Sequence, residues 1–349
     1  MIIIQHAPRG GRGRLAWARV STLRIALVVA SVVVLASGCH VPGTGASGAG
    51  SGSGPITLAV IPGIDNASLR VAVKDGLFQQ YGLNVTVKDY QSLHNEFEAL
   101  ISGQAQIAVG DYTGFLYEQA VGGASLRLIA DGYDAASNSV AILALPHSGI
   151  TTPQQLQGLS GGVATPPAAQ PAQASSTVPY NIQTLAAEEV LQNDGVSPSS
   201  VTWKPMSAQD MIGELRTGQV KAILATEPYI LEAEEQLGAV EVVDASSGVT
   251  SGLPMSGYFS LASYERANPS AVQAFQEALD QAQSDCAQRG QVQAVLPDLT
   301  GISTGEAALV TLGTYPASVN AGQVQRVASL MYDSGMINNP VNVNTLTSG

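Results

Sequence analysis

The chain has 349 residues, of which 45% are hydrophobic, so it is long enough for one large or two modest domains with substantial cores. Its 27 acidic and 15 basic residues give a formal net charge of −12, which argues against a nucleic-acid partner. Two cysteines, Cys39 and Cys286, are too few for a disulfide framework.

The N-terminal segment has the features of an export signal. Residues 1–24 carry five arginines and no acid, and the apolar run Ile25–Leu35 would form a helix of about 16 Å, roughly half of a bilayer core. The stretch "LASGC", which ends at Cys39, resembles a bacterial lipoprotein processing site. We therefore predict a signal peptide over residues 1–38 and a lipid on Cys39 that anchors the exported protein to the outer face of the cell membrane. The alternative is an ordinary signal peptide and a free exported protein.

A segment rich in Gly and Ser follows the predicted lipid site. Residues 39–54 cannot bury apolar surface and predict a flexible tether. Removal of residues 1–38 takes away five arginines and no acid, so the net charge falls to −17.

From Pro55 onward, short apolar runs alternate with helical periods, which is typical of an α/β fold with parallel strands. The predicted strands of the first half are "ITLAVIP", "LNVTVKDY", "AQIAVG", "SLRLIA" and "SVAILALP". Helices are predicted at Ala67–Asp75, in "SLHNEFEALISG" and at about Thr113–Val121.

The second half predicts a new series of strands and helices. After a short helix opened by Pro153, the predicted elements are the strand "GGVAT", a helix from about Tyr180 to Asn193, the strand "VTWK", a helix opened by "SAQD", the strand "VKAILA", a helix from about Glu227, the strand "AVEVVDA" and a return strand "SGYFSLASY". Mostly helical sequence follows. The Pro-rich segment Pro166–Tyr180 predicts a long loop at the mouth between two lobes.

Two stretches repeat one pattern. "GQAQIAVGDYTGF" (Gly103 to Phe115) and "GQVKAILATEPYI" (Gly218 to Ile230) each place Gly-Gln before a buried strand and an acid with a tyrosine after it. Two lobes of duplicated architecture would bring these strand ends to a shared cleft, because loops at the carboxyl ends of parallel strands face a crevice. The alternative is the chance likeness of any two strand–helix units.

Several stretches together resemble the periplasmic-type substrate-binding proteins of ABC importers, in the group for nitrate, sulfonates such as taurine, and thiamine-pyrimidine precursors. These stretches are "AVKDGLFQQYGLNVTV", "ALISGQAQIAVGDY", "TTPQQLQGLSGGVAT", "GQVKAILATEPYI" and "SYERANPSAVQAFQEAL", which span most of residues 56–290.

The resemblance implies a two-lobed periplasmic binding protein type II-like fold with a hinge of two crossing strands. The crossings are expected near Ala141–His147 and Gly257–Ser263, with residues 55–143 and 259–349 in lobe 1 and residues 144–258 in lobe 2. It further implies a monomer without enzymatic activity that binds a small solute and delivers it to permease and ATPase subunits. A lipoprotein sensor of the same fold is the alternative that the sequence leaves open.

The strand-end turns supply the candidate ligand-binding residues. They are Asp65, Asn66, Gln91, Ser92, Asp111, Tyr112, Tyr133, Asp134, Thr165, Thr226, Glu227 and Tyr229. For the polar ones the alternative is helix capping, and for the tyrosines it is packing. Acids dominate these turns, whereas Lys and Arg are missing from them, so we hypothesise a solute with an amine, a cation or another hydrogen-bond donor.

Enzymatic and metal chemistry have weak support. "GLSGG" matches the Gly-x-Ser-x-Gly pattern of serine hydrolases at Ser160, but it follows a predicted helical turn and every histidine precedes it. The histidines are scattered and form no ligand pattern, so we expect no cofactor and no metal site built from histidines. Cys286 lies on the apolar stripe of a predicted helix and is expected to be a buried thiol.

Overall fold

The computed structural model describes residues 54–169 and 180–347. The predicted signal peptide, Cys39, nearly all of the predicted tether and most of the Pro-rich segment lie outside these residues. No helix in the described part of the chain combines the length and the apolar character needed to cross a membrane.

The strands form two five-stranded sheets, which confirms the predicted α/β class. The first sheet has the order β2-β1-β3-β10-β4, and its strands are β1 (Ile56–Val60), β2 (Val85–Asp89), β3 (Ile107–Asp111), β4 (Leu126–Asp134) and β10 (Pro254–Leu261). The second has the order β7-β6-β8-β5-β9, and its strands are β5 (Val140–Ala144), β6 (Val163–Thr165), β7 (Trp203–Pro205), β8 (Ala222–Thr226) and β9 (Val240–Asp244).

The two sheets share one plan. In the first, β1 pairs in parallel with β2 and β3, and β10 runs antiparallel between β3 and β4. In the second, β6 pairs in parallel with β7 and β8, and β5 runs antiparallel between β8 and β9. The repeated stretches of the sequence contain β3 and β8, which hold the same position in their sheets. This correspondence supports duplicated architecture over chance likeness.

The helices are distributed along the whole described chain. They are α1 (Ala67–Lys74), α2 (Leu77–Gln80), α3 (Leu93–Ile101), α4 (Tyr112–Val121), α5 (Ile182–Asn193), α6 (Ala208–Thr217), α7 (Tyr229–Leu237), α8 (Ala262–Ala267), α9 (Pro269–Asp285), α10 (Arg289–Thr300), α11 (Thr304–Ala307), α12 (Ala321–Asp333) and α13 (Asn344–Thr347). Short 3-10 helices occur at Ile64–Asn66, Pro153–Leu156, Pro198–Ser200 and Gly248–Thr250.

Local sequence signals set several helix starts. Ser207 accepts a hydrogen bond from the Asp210 amide at 3.2 Å, as the "SAQD" pattern predicts for a capped helix. Asn181 caps α5 in the same way, with the Thr184 amide 2.7 Å from Asn181 Oδ1. The helix predicted from Tyr180 therefore begins two residues later, where the cap places it.

Apolar packing explains which faces the elements bury. All five residues of β5, in the interior of its sheet, are buried, whereas the edge strand β2 is half exposed. Cys286, on α9's apolar stripe just past its last residue, is a buried free thiol, as predicted.

The crossings between the sheets come earlier in the chain than expected. The chain leaves the first sheet after Asp134 and enters the second at Val140, then leaves the second after Asp244 and re-enters the first at Pro254. Residues 140–143 therefore belong to the second sheet and residues 254–258 to the first, which corrects the predicted lobe boundaries. Both segments are buried and mostly apolar, and such a run does not indicate which sheet it will join.

Candidate functional site

The carboxyl ends of β1 and β3 lie at one end of the first sheet, where the antiparallel strand β10 begins beside β3. Ser256 on β10 is the register partner of Asp111 at the end of β3 and of Tyr133 near the end of β4. The turn that carries Asp65 follows β1, and the Ser256 side chain lies within hydrogen-bonding range of the Asp65 carboxylate. The turn after β1 and the strands β3, β4 and β10 thus place polar side chains at this end of the sheet.

Asp111 connects the two halves of the molecule. Its Oδ1 accepts hydrogen bonds of 2.7 Å from both the amide and the hydroxyl of Thr113, so it caps α4. Its Oδ2 accepts a 2.9 Å hydrogen bond from the amide of Ile182, the first residue of α5, which packs against the second sheet. Burial raises the pKa of Asp111 to about 6, and the hydrogen bonds from Ile182 and Thr113 limit the rise.

Two more carboxylates lie close to Asp111. Burial raises the pKa of Asp65 to about 6, and the nearby Ser256 hydroxyl and the backbone amides of Asp65 and Asn66 limit the rise. Glu96, on α3, is fully buried, and its Oε1 accepts a 2.8 Å hydrogen bond from the amide of Val109, whereas its Oε2 has no hydrogen-bond partner. Burial raises the pKa of Glu96 well above its usual value, and the nearby Asp65 and Asp111 raise it further. We call Asp65, Glu96, Asp111 and Ser256 the acidic cluster.

Glu227 makes the reciprocal connection from the second sheet. Its Oε2 accepts a 3.1 Å hydrogen bond from the Leu231 amide at the start of α7, and its Oε1 accepts one of 2.8 Å from the amide of Thr311. Thr311 lies between α11 and α12, and α12 packs against α4 and β10 of the first-sheet half. Burial raises the pKa of Glu227.

The segment around Thr311 also covers the turn after β1. The Tyr133 hydroxyl accepts a 2.6 Å hydrogen bond from the Gly313 amide, and the Tyr315 hydroxyl donates one of 2.6 Å to the carbonyl of Ile64. The two tyrosine rings lie with centroids 5.2 Å apart. A Cβ at position 313 would approach the Asp134 carbonyl to 2.1 Å, so only glycine allows this close passage.

Several predicted site residues have structural partners instead of a free surface. Tyr112 is fully buried, and its hydroxyl donates to Asp131 Oδ1 at 2.7 Å, so its ring has no face for a solute. Asn66 is fully buried and donates to the Ile61 carbonyl at 2.6 Å. Thr165 is buried with its hydroxyl 2.7 Å from that of Thr184, and Ser92 caps α3. These four occupy the capping and packing roles that the sequence left as alternatives.

The other predicted site residues have different degrees of exposure. Gln91 is exposed, whereas Asp134, Thr226 and Tyr229 are half-buried at strand or helix ends. Asp134 Oδ1 is buried without a hydrogen-bond partner, and burial raises the pKa of this carboxyl to about 7.

Sequence reasoning missed Glu96, Ser256 and the segment with Gly313 and Tyr315. Glu96 precedes the apolar residues of α3 and looks like a solvent-facing acid, and Ser256 is a small residue inside an apolar strand. Gly313 and Tyr315 lie far along the chain from the strand ends that they cover. The sequence signals for this site were the polar strand-end turns, which gave Asp65 and Tyr133, and the repeated acidic turns, which gave Asp111 and Glu227.

A cavity whose lining includes no residue of the acidic cluster lies beside β4. It has a volume of about 310 Å³ and is bounded by β4, α9 and residues 317–319, with Asp131, Gln276 and Asp280 among its lining residues. Among residues 54–169 and 180–347, no three His, Cys, Asp or Glu side chains come together as a metal-binding group.

The hydrolase motif has the wrong setting. Ser160 lies in a turn after the 3-10 helix Pro153–Leu156 and before β6. A nucleophile elbow requires the serine to follow a strand and open a helix, so this order is the reverse of the one that the chemistry needs.

Comparison with known proteins points to one family and one fold. A model of the NMT1-like family matches residues 49–296. No curated protein matches the chain by sequence. The periplasmic aliphatic sulphonate-binding protein SsuA from Escherichia coli is 18% identical, with a TM-score of 0.66 over 84% of this chain and 97% of that chain.

Two further solved structures have similar coverage. The periplasmic nitrate-binding protein NrtA from Synechocystis PCC 6803 is 13% identical, with a TM-score of 0.66 over 84% of each chain. The desulfurization enzyme DSZB is 16% identical, with a TM-score of 0.60 over 84% of this chain and 96% of that chain. At these identities the likeness shows a shared fold, which is the periplasmic binding protein fold that the resemblance implied.

Proposed function

Because the chain belongs to the NMT1-like family, we propose that it is the extracytoplasmic solute-binding component of an ABC importer. It captures a small organic or nitrogen- or sulfur-containing solute between its two halves and delivers that solute to permease and ATPase subunits. A lipid on Cys39 holds it at the outer face of the bacterial membrane, and it acts as a monomer without catalysis.

The pair of reciprocal carboxylate contacts carries this proposal. Asp111 reaches from the end of β3 to the start of α5, and Glu227 reaches from the end of β8 to Thr311. Equivalent strands of two similar sheets thus project acids toward each other's half. Such contacts suit two halves that separate and close around a guest.

The similar structures agree with this role. SsuA and NrtA are named as binding proteins for aliphatic sulphonates and nitrate. DSZB, an enzyme, shares the fold, so the fold alone does not decide between binding and catalysis. The reversed setting of Ser160 favours binding, because it removes the hydrolase motif of this chain.

A ligand-presenting sensor lipoprotein is the second candidate, since the same closure could signal to a receptor. Neighbouring permease and ATPase genes favour import, whereas a neighbouring sensor kinase gene favours signalling.

Mass spectrometry of the protein extracted from its native membrane tests the proposal. We expect a co-purified small solute in about equimolar amount and an acyl mass on the peptide that begins at Cys39. The Cys39→Ser variant is the control, which we expect to lack the acyl mass and to leave the membrane fraction. An extract without solute, from a protein that binds no candidate solute by calorimetry, would contradict the binding role.

A further inference from the structure

The helix N-termini at the site already have internal hydrogen-bond acceptors. Asp111 accepts from the Thr113 amide of α4 and from the Ile182 amide of α5, and Glu227 accepts from the Leu231 amide of α7. Amides of this kind are the donors that an oxyanion uses in a site without Lys or Arg. In this chain the carboxylates of Asp111 and Glu227 already accept hydrogen bonds from these amides.

Within residues 54–169 and 180–347, no cation is a partner of these carboxyl groups. In the described part of the chain, none of the groups that shift the pKa values of Asp65, Glu96 and Asp111 is a cation. Residues 170–179 contain no charged residue and no histidine, so that segment brings none either. An anionic solute would meet repulsion here, whereas a cation would supply the missing opposite charge.

Two buried polar atoms of the acidic cluster have no hydrogen-bond partner. Glu96 Oε2 belongs to a fully buried side chain and lies beside Gly110, within electrostatic range of Asp65 and Asp111. Ser256 Oγ, on a side chain that is 1% exposed, lies next to Asp65 and forms no well-aligned hydrogen bond. A buried polar atom without a hydrogen-bond partner is costly, so both atoms point to a guest that supplies hydrogen-bonding groups.

We infer that the site between the two halves takes a cationic, amine- or amidine-bearing solute, and not the oxyanions named for SsuA and NrtA. This inference rests on the proposed function and gives the substrate class of its site. Asp65 and Asp111 bind the cationic group by charge-assisted hydrogen bonds, with Ser256 and Glu96 as further partners.

Calorimetric titration with four probes tests the inference. The cations are 1,4-diaminobutane and benzamidine, and the anions are nitrate and ethanesulfonate. We expect a cation to bind and the anions not to bind. We expect Asp65→Asn and Asp111→Ala each to weaken cation binding roughly 10- to 100-fold, which corresponds to one lost charge-assisted hydrogen bond.

The matched control is Asp280→Asn, which neutralises an acid of the separate cavity. Burial also raises the pKa of Asp280. We expect this variant to bind the cation as the unmodified protein does, and thermal melts to show that all three variants are folded. If Asp280→Asn alone lost binding, the cation would bind in the cavity lined by Asp280, and the assigned site would be contradicted.

The outcomes separate this inference from the proposed function. Binding of nitrate or ethanesulfonate without either cation, or a native solute that is a simple oxyanion, would overturn the inference and leave solute binding intact. A protein that binds none of the four probes and carries no native solute would overturn both.

Discussion

Gly110 leaves room for the buried carboxyl group of Glu96 beside the end of β3. It precedes Asp111, and a Cβ at this position would meet Phe115 Cε2 at 2.8 Å, Leu93 Cδ2 at 3.0 Å and Glu96 Oε2 at 3.1 Å. The ring of Phe115 is itself fixed, because it stacks on Phe259 with centroids 4.2 Å apart. Glycine therefore leaves the space that the Glu96 carboxylate occupies.

Gly110→Ala is expected to lower the free energy of unfolding by about 1–3 kcal/mol, as overpacking in a tight core does. Chemical denaturation measures this change in the free energy of unfolding. The control is Gly213→Ala, within α6, where a Cβ would meet nothing within 4 Å. That change should raise the free energy of unfolding by about 0.5–1 kcal/mol through helix propensity, and equal effects of the two changes would contradict the packing argument.

The helix α9 protects the free edge of the first sheet. The strand β4 lies at this edge, and two glutamines one heptad apart on α9 donate to its carbonyls. Gln276 Nε2 is 2.7 Å from the Ile129 carbonyl oxygen, and Gln283 Nε2 is 2.6 Å from that of Asp131. The unpaired backbone groups of an edge strand can pair with another chain. The two glutamines give two of the β4 carbonyls hydrogen-bond donors and cover this edge.

Gln283→Ala is expected to destabilise the protein by about 1–3 kcal/mol, because Gln283 is 2% exposed and the change removes its buried hydrogen bond to the Asp131 carbonyl. Equilibrium unfolding in urea measures the change. Gln281→Ala is the matched control, since Gln281 is exposed and bonds only to Asp285 on the same helix. It should change stability by less than about 0.5 kcal/mol. A similar loss in both variants would mean that helix propensity, not the edge contact, is responsible.

Buried acids set the response of the whole protein to pH. Burial raises the pKa of Asp65, Asp111 and Asp131 to about 6 and that of Asp134 and Glu188 to about 7. The native state therefore keeps protons that the unfolded chain releases near its ordinary carboxyl pKa of about 4. Between about pH 4 and pH 7 the native state binds more protons, so stability falls as pH rises through this window.

We expect the ligand-free protein to melt at a higher temperature at about pH 5 than at about pH 7.5, as measured by scanning calorimetry. The double variant Asp65→Asn, Asp111→Asn should show a smaller difference, because two of the groups no longer titrate. A melting temperature that rises with pH in this window would contradict the assignment of raised pKa values. A bound cation should also reduce the difference, since it favours the ionised carboxylates.

The order of elements could be predicted from the sequence because it depends on local physics. Apolar runs, glycine stops and caps such as Ser207 act within a few residues, and the strands of both sheets appear where these signals place them. The buried thiol of Cys286 follows from helical periodicity in the same way. The repeated acidic turns also led to Asp111 and Glu227, whose contacts connect the two halves.

Only the tertiary structure decided which sheet β5 and β10 join and which side chains complete the site. The contacts that do so link residues far apart in sequence: Asp111 with Ile182, Glu227 with Thr311, and Ile64 with Tyr315. Glu96 and Ser256 become site candidates only because folding buries one carboxyl oxygen of Glu96 and the hydroxyl of Ser256 near Asp65 without hydrogen-bond partners. Local sequence patterns do not predict such neighbours, because the burial and the charge environment of a residue depend on packing across the whole chain.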